Sequence, residues 1–525
     1  MKILLIDPPF YRFIGYYNRY FPLGLAYLAA VLQKEGHEVL IYDADCNVNP
    51  SKMDFTRLED NYPFYLKSLK DDYHPIWKEM KETIYNFKPD MIGITVWTTF
   101  AASAFRIASI CKEYDNNIPV VMGGPHISIK YDEVMKICPD VDFLIRDEGE
   151  ETFLELVKTL ESKIDDRVEG VGVSPSKAAS AFRIIRIKSM EREITKLRDI
   201  KGISFRFNGE VIHNPSKDFI EDLDSIPFPA RDLLLNKDSY NSEDMGLLMT
   251  SRGCPYNCSY CATSVWGRKV RCRSIDNVIN EIKLVIDKYR TRQFTFKDDS
   301  FTVNRKRVLE FCDRLINEDI RINWDCNTRV NLVDEEILNK MKKAGCNGIK
   351  VGVETGSERI LKLINKRISF EQCKKAVKLF RKVGIHWTGY FMMGLPSETK
   401  EDVYQTLKFM KELRPDYASF SVYEPFPGTE LFNSGVEKGL VQKERTLDDF
   451  YTISPKYYYV KDINRRVDTM SGKEFEKLEF EMKEAFYKYN RGLLRLAKRA
   501  NSRSKLYLQT PKTLVDDFKK FLSWV

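Results

Sequence analysis

Cys254-Pro255-Tyr256-Asn257-Cys258-Ser259-Tyr260-Cys261 places three thiols in one short loop, separated by three and then two residues. Three cysteines can ligate three irons of a cubane and leave the fourth iron free. A four-iron, four-sulfur cluster normally takes four cysteine thiolates, and the next cysteine, Cys272, does not follow at similar spacing. Something other than a cysteine must fill the open position, which makes that iron a place for reaction. The same spacing also reads as a zinc site lacking one ligand, although neither a nearby histidine nor a second cysteine pair completes a tetrahedron.

The flanking residues place this loop in a fold. Leu247-Leu248-Met249-Thr250 reads as a buried strand, and Ser251-Arg252-Gly253 as the turn that delivers the cysteines from its end. That is the catalytic edge of a parallel β/α barrel. Strand and helix patterns alternate over residues 246–429 and supply about six strands, so a partial barrel is expected. On this motif and context the segment resembles the radical S-adenosylmethionine (SAM) superfamily, whose motif has this spacing and commonly an aromatic residue before the last cysteine, here Tyr260. The resemblance implies a 4Fe–4S cluster on Cys254, Cys258 and Cys261, with the amino and carboxyl groups of SAM chelating the free iron. One electron, from an external donor such as flavodoxin or ferredoxin, then cleaves the sulfonium to a 5'-deoxyadenosyl radical.

Several predicted strand ends carry residues suited to a charged sulfonium nucleoside. Residues 294–296 run into Lys297-Asp298-Asp299, whose two acids can accept bonds from an ammonium group or cap the following helix. In the superfamily the matching stretch contacts the methionine amino group, a role that falls here to Lys297, Asp298 and Asp299 together. Arg329, at the end of the next strand, can grip a carboxylate through two bonds or lie on the surface. Glu354 stands among apolar residues, and a buried carboxylate requires partners. With Thr355 it resembles the family motif facing ribose and methionine, and residues 389–399 resemble the strand and turn that support adenine. Glu398 in that turn reads as a helix-start acid.

The first 150 or so residues alternate short apolar runs with helical patterns, the signature of a doubly wound parallel sheet in an α/β fold. Candidate strands cover 3–6, 38–42, 91–96, 119–122 and 143–145, with a helix starting at Pro22 and ending near Gly36. Loops at the carboxyl ends of such strands line the ligand crevice. They carry Asp7-Pro8-Pro9, Asp43-Ala44-Asp45, Thr98-Thr99 and Gly123-Gly124-Pro125-His126. The paired glycines suit close approach of a bulky ligand or, equally, a tight turn needing positive φ. Standing upstream of the cysteine loop, the whole segment resembles the cobalamin-binding domain of cobalamin-dependent radical SAM enzymes, including the glycine turn and Asp147-Glu148-Gly149-Glu150-Glu151-Thr152. The resemblance implies cobalamin as a further cofactor, with Asp7, Pro8, Pro9, Thr98, Gly123, Gly124, His126 and Glu150 as candidate contacts. Asp72-Tyr73-His74-Pro75-Ile76-Trp77 lacks the glycine of the Asp-x-His-x-x-Gly motif that brings histidine to cobalt in other families. Cobalt is therefore expected without a histidine ligand from this domain. His126 is the alternative ligand, or else a loop histidine bonded to backbone.

These readings divide the chain into a Rossmann-like cobalamin-binding domain (1–160), a connecting region (161–245), a partial (β/α)6 radical SAM barrel (246–435) and a helical, aromatic C-terminal region (436–525). The connecting region holds a helical insertion over 174–198, a hairpin turning at Asn208-Gly209 and an extended, proline-rich strap over 219–230. Phe450-Tyr451 and Tyr457-Tyr458-Tyr459-Val460 either cover the barrel mouth or pack in a core. The basic run Lys488, Arg491, Arg495, Lys498, Arg499, Arg503 and Lys505 suits anionic lipid, an anionic substrate or a solvated helix face.

Composition bounds the function. Forty-three per cent hydrophobic and 30% charged residues suit large soluble cores, and a net charge of +8 on 525 residues gives no reason to expect nucleic acid. No apolar run of about 18 residues and no signal-peptide pattern occurs, so a cytoplasmic protein is expected, with peripheral membrane contact left open. Eleven cysteines are too sparse and irregular for a disulfide scaffold. The expected activity is functionalisation of an unactivated carbon in a small-molecule substrate, lipid-like or tetrapyrrole-like among the options, by C-methylation from methylcobalamin. An oxidative ring-forming cyclase is the competing enzyme, a methylthiotransferase a third, and a non-catalytic cobalamin or iron–sulfur sensor the reading from another class.

Overall fold

The computed structural model describes the chain apart from residues 17, 19, 48–60, 169–193, 263, 264, 454–466 and most of those past 492. Its first sheet has seven strands in the order β2-β1-β3-β4-β5-β6-β7. They are β1 (Lys2–Asp7), β2 (Glu38–Asp43), β3 (Met91–Thr95), β4 (Val120–Gly123), β5 (Phe143–Ile145), β6 (Ile203–Phe207) and β7 (Glu210–His213). β1 to β5 run parallel, and Ile3, Leu4, Leu5 and Ile6 are all buried, the unbroken apolar run of a strand covered on both faces. Helices Leu23–Lys34 and Gly149–Val168 share one core with the sheet, while Pro75–Phe87, Ala101–Tyr114 and Pro125–Ile137 share the other. Strand order reverses between β1 and β3, so the ligand crevice of this sheet opens at their carboxyl ends.

The hairpin read as part of a connecting region instead extends this sheet, β6 pairing antiparallel with β5. Asn208 and Gly209 both take positive φ (50° and 83°), the primed turn that matches strand twist. The strap that follows contains only short 3-10 turns and is tied to the first domain, Ala230 N donating to Ala26 O (2.9 Å) and Leu235 N to Ile41 O (2.8 Å). The helical insertion over 174–198 falls largely outside the described residues.

The second sheet is all parallel, in the order β15-β14-β13-β12-β11-β8, with its edge strands β15 and β8 unpaired to each other, as a partial barrel requires. Its strands are β8 (Leu247–Leu248), β11 (Gln293–Phe296), β12 (Asn323–Thr328), β13 (Cys346–Glu354), β14 (His386–Met393) and β15 (Tyr417–Val422). One face of every strand is apolar and joins helices Ile275–Tyr289, Arg305–Asn317, Glu335–Lys343, Phe370–Val383 and Lys400–Leu413 in a single core, which the C-terminal helix Gly472–Asn490 completes. Ser251-Arg252, predicted as a turn, is instead a short strand, β9 (Ser251–Arg252), paired antiparallel with β10 (Arg271–Cys272). This ribbon brackets the cysteine loop at both ends. Gly253 has φ 93°, and a Cβ there would stand 2.3 Å from Lys269 O, so only glycine lets the chain enter the loop.

The two domains are bolted together by buried charge. Arg252 donates to Glu148 (3.0 Å) and to Glu150 (2.5 Å), and Arg271 donates to Glu148 (2.8 Å), all four side chains being buried. Phe450 is not at the barrel mouth. It is buried in the first domain, edge-on to Phe105 (5.2 Å) and His126 (5.8 Å), so the C-terminal region reaches back across the molecule. Residues 457–460 and most of the basic run lie outside the described residues; of the run, Arg491 and Arg495, past the end of the helix Gly472–Asn490, stack on its Tyr487 and Tyr489. No helix among the described residues is long and apolar enough to cross a membrane.

Candidate active site

The cysteine loop is held from three sides. Asp298, at the end of β11, accepts from Thr250 N (2.7 Å), Thr250 Oγ1 (2.5 Å) and Ser251 Oγ (2.6 Å), fixing the chain just before the loop. Ser259 N donates to Ile364 O (3.0 Å) and Asn365 Nδ2 to Asn257 O (2.7 Å), pinning the middle of the loop to the chain beyond β13. Arg329 is buried, lies 3.7 Å over the Tyr256 ring, donates to Lys366 O and approaches Cys258 Sγ at 3.6 Å. Cys254 is buried, Cys258 partly buried and Cys261 exposed. Burial, then Cys258, Asp299 and Cys254, push Cys261 up to about 12, and Cys254 is raised by burial, Asp299 and Cys258. Thiols raised in this way become thiolates readily only when cationic metal neutralises them.

Asp299 lies near enough to Cys254 and Cys261 to raise both, has open surface and no donor from the described residues, and its own carboxyl is raised to about 6 by the surrounding protein and Asp298. The stretch Lys297-Asp298-Asp299 therefore divides by role. Asp298 is occupied by the loop it supports, Asp299 is open beside the cysteines, and Lys297 points away to Tyr20, its Nζ 4.3 Å from that ring. Arg329 is likewise no free clamp for a carboxylate, since it braces the cysteine loop. Glu354 has the partners its burial demands. Tyr260 OH donates to its Oε1 (2.9 Å), as does Lys366 Nζ (2.7 Å), and Gly352 leaves the room, because a Cβ there would meet Glu354 Oε1 at 2.0 Å. Thr355 is buried against Thr406, their hydroxyls 3.1 Å apart, and faces no open space.

Glu398 is buried in the turn after β14, where its Oε2 accepts from Gly394 N (2.5 Å) and Leu395 N (3.2 Å), while Oε1 has no partner among the described residues. It braces a turn and does not start a helix. Burial raises its carboxyl to about 8, so the fold favours the neutral acid. Stability from this group is complete below pH 4.5, the ordinary value, and is lost as pH rises through about 8. Glu398→Gln, which keeps a neutral carbonyl acceptor, should flatten this slope: its unfolding midpoint in urea should gain on wild type between those two pH values.

On the barrel's inner face, alternate residues form a polar ladder that motif reading missed. Thr295 Oγ1 donates to Asp325 (3.1 Å) and Lys350 Nζ to the same carboxylate (2.5 Å). Burial opposes the Lys350 ammonium, but Asp325 outweighs it and holds the pKa above the ordinary value. Tyr390 follows on β14, 38% exposed. The first domain meets this ladder through Tyr20, 53% exposed, whose phenol is pushed up by burial and by Tyr390, Tyr11 and Asp325. Tyr20, Lys350 and Tyr390 thus keep accessible surface where the two domains meet. The signal was present in the sequence. Phe294-Thr295-Phe296-Lys297 and Asn323-Trp324-Asp325-Cys326-Asn327 alternate strictly, where parallel strands covered on both faces usually do not.

At the crevice of the first sheet, Trp97 is 52% exposed, and Thr98, Thr99, Gly123 and Gly124 keep partial exposure beside it. This open floor of hydroxyl groups and backbone at a switch point suits a broad ligand. Pro8 and Pro9 are buried beneath it, and Gly124 serves a tight turn: its φ is 105°, and a Cβ would stand 3.0 Å from Val96 N and O. Asp7 sits with Asp43 and Asp45, and burial followed by these two neighbours raises its carboxyl well above the usual range. Glu150 does not reach the crevice, being paired with Arg252. His126 is 1% exposed, within hydrogen-bond distance of Thr98 Oγ1 (3.2 Å) and under Phe450, and burial with Lys130 and Arg445 lowers it to about 3. It is a buried imidazole whose Nδ1 bonds a hydroxyl, neither the cobalt ligand nor the backbone-bonded histidine that the sequence left open. His74 caps the helix Pro75–Phe87 by accepting from Ile76 N.

The Radical SAM superfamily pattern matches residues 248–410, and that of the B12 binding domain matches residues 14–157. An uncharacterized methyltransferase of Pyrococcus horikoshii is 35% identical over 447 residues, covering 84% of this chain and 84% of that protein. The chain belongs to the cobalamin-binding radical SAM family. Also within reach is the anaerobic magnesium-protoporphyrin IX monomethyl ester cyclase of Rubrivivax gelatinosus, 29% identical over 82% of this chain and 69% of its own length. Among solved structures, the radical SAM methyltransferase TsrM of Kitasatospora setae superposes with a TM-score of 0.62 at 17% identity, covering 93% of this chain and 89% of its own, which shows a shared fold. As a cobalamin-binding radical SAM protein the chain is an enzyme, with SAM, a 4Fe–4S cluster and cobalamin as its cofactors. Radical SAM chemistry needs a reductant.

Proposed function

We propose that this enzyme methylates an unactivated carbon of a small-molecule substrate held between the barrel mouth and the cobalamin domain. Cys254, Cys258 and Cys261 would hold the cluster, Asp299 the SAM ammonium, and the Tyr260–Glu354–Lys366 cluster the nucleoside side. The open floor of Trp97, Thr98, Thr99, Gly123 and Gly124 would hold cobalamin, with no protein histidine on cobalt. Together the bound cofactors supply a carbon-centred oxidant and a methyl donor. The protein's own work is geometric. The β9–β10 ribbon and Asp298 aim the cysteine loop into the chamber, Arg329 steadies Cys258, and the Arg252–Glu148–Glu150 cluster fixes the distance between the domains.

One observation carries this reading: Tyr20 of the cobalamin domain meets Lys297 of the barrel at 4.3 Å, which brings the two domains into contact beside the proposed substrate chamber. The relative from Pyrococcus, named a methyltransferase, supports methyl transfer. The Rubrivivax cyclase, named for ring closure, supports a second reading, oxidative cyclisation. Product analysis after anaerobic reconstitution with cobalamin, reductant and SAM separates them. S-adenosylhomocysteine formed alongside 5'-deoxyadenosine is the expected result; deoxyadenosine with a dehydrogenated or cyclised product would transfer the assignment to the cyclase reading.

A further inference from the structure

Lys297, beyond β11, and Lys350, on β13, lie close enough to act on each other, and they differ in one respect. Lys350 is neutralised, its Nζ 2.5 Å from Asp325, which also accepts from Thr295. No carboxylate among the described residues reaches Lys297; its ammonium lies over the Tyr20 ring at 4.3 Å, and only its backbone N is bonded, to Leu248 O (2.8 Å). An aromatic face attracts a cation but accepts no full charge from it. Asp325, whose charge acts on Lys297, is committed to Lys350, and Asp298 to the cysteine loop. Burial and the neighbouring Lys350 push Lys297 down to about 8. A lysine enclosed in this way costs free energy unless an anion arrives.

The geometry points to Lys297 as the anchor for an acidic oxygen group of the substrate, a carboxylate or a phosphoryl, with Tyr20 and Tyr390 walling the same subsite. The ammonium, held by Tyr20 on one side, keeps its remaining protons for the incoming oxygens. The aromatic wall leaves the carbon skeleton in apolar contact, with the acidic end fixed and the carbon end directed into the chamber. Asp299 cannot share this task, since a carboxylate repels the same group. Calling the ligand a substrate rests on the catalytic reading above; the presence of an anion subsite at Lys297 does not.

The test is competitive acetylation of the full-length protein with acetic anhydride, quantified at the Lys297 peptide by mass spectrometry, in buffer alone and with inorganic phosphate, acetate, SAM, or sodium chloride at matched ionic strength. Phosphate or acetate should slow labelling of Lys297 about threefold at an anion concentration twice its dissociation constant, because the free fraction falls as 1/(1 + [L]/Kd). Slowing by phosphate singles out a phosphoryl group and slowing by acetate a carboxylate. Lys350, already paired, should show no such protection, and Lys297→Met should retain the fold, read by its unfolding midpoint, while losing the protected peptide. No slowing by either anion, equal slowing by chloride, or slowing by SAM would overturn the proposal, the last by assigning Lys297 to the SAM carboxylate. Because labelling needs no turnover, failure to detect a methylated product leaves this result standing, and the reverse also holds.

Discussion

Replacing Cys254, Cys258 or Cys261 singly with alanine is expected to lower SAM cleavage below about one thousandth of the wild-type rate, a loss of at least 4 kcal/mol in transition-state stabilisation. The physical reason is that each thiolate is proposed to hold a different iron, so none can stand in for another. The same variants should bind less iron and lose the visible absorption of the cluster after anaerobic reconstitution. Their folds should survive, because the loop is held by Asp298, Asn365 and the β9–β10 ribbon without help from sulfur. Cys272→Ala, by contrast, should keep both iron and cleavage, since Cys272 lies in β10 outside the loop. Iron analysis and a 5'-deoxyadenosine assay on the four variants check this; cleavage surviving in any of the first three would contradict the assignment.

The second large effect is on stability. Arg252→Met should destabilise the protein by about 3–5 kcal/mol, the usual cost of leaving one side of a buried ion pair uncompensated. Glu148 would keep Arg271 and the Ile220 N–H, but Glu150 would be stranded in the interior with no cation at 2.5 Å. Removing that stranded charge as well, in Arg252→Met/Glu150→Leu, should recover much of the loss, since an apolar replacement of a buried pair is often neutral. Urea unfolding of the three proteins measures both steps. Because these residues join the strand leading into the cysteine loop to the first turn of the helix Gly149–Val168, the single variant should also uncouple the domains.

Local chemistry explains which parts of this architecture were legible in the sequence. Hydrophobic runs such as Ile3–Ile6 have few alternatives to a buried parallel strand, and Asn208-Gly209 has almost none to a primed turn, so strands and hairpin could be placed by inspection. What the hairpin joined could not, because edge pairing to β5 depends on a contact about 60 residues away in the chain. Site residues followed the same rule. The cysteines are neighbours in sequence and were found by spacing. Asp298 and Asp299 are adjacent and chemically identical, and only the position of Thr250 and Ser251 distinguishes the brace from the open acid. Glu150 looked like a crevice residue until Arg252, more than 100 positions on, proved to be its partner. The polar ladder of Thr295, Asp325 and Lys350 was within reach through strand alternation, but motif matching passes over residues that lie outside the family's motifs.

Mössbauer spectroscopy of the anaerobically reconstituted, iron-57-enriched enzyme, with and without SAM, reaches the central claim most directly. Three cysteine-held irons should leave one site of the cubane whose signal separates from the rest when SAM is added. A cluster whose sites stay alike with SAM present, or a protein that takes up zinc at the cysteine loop in place of iron, would contradict it.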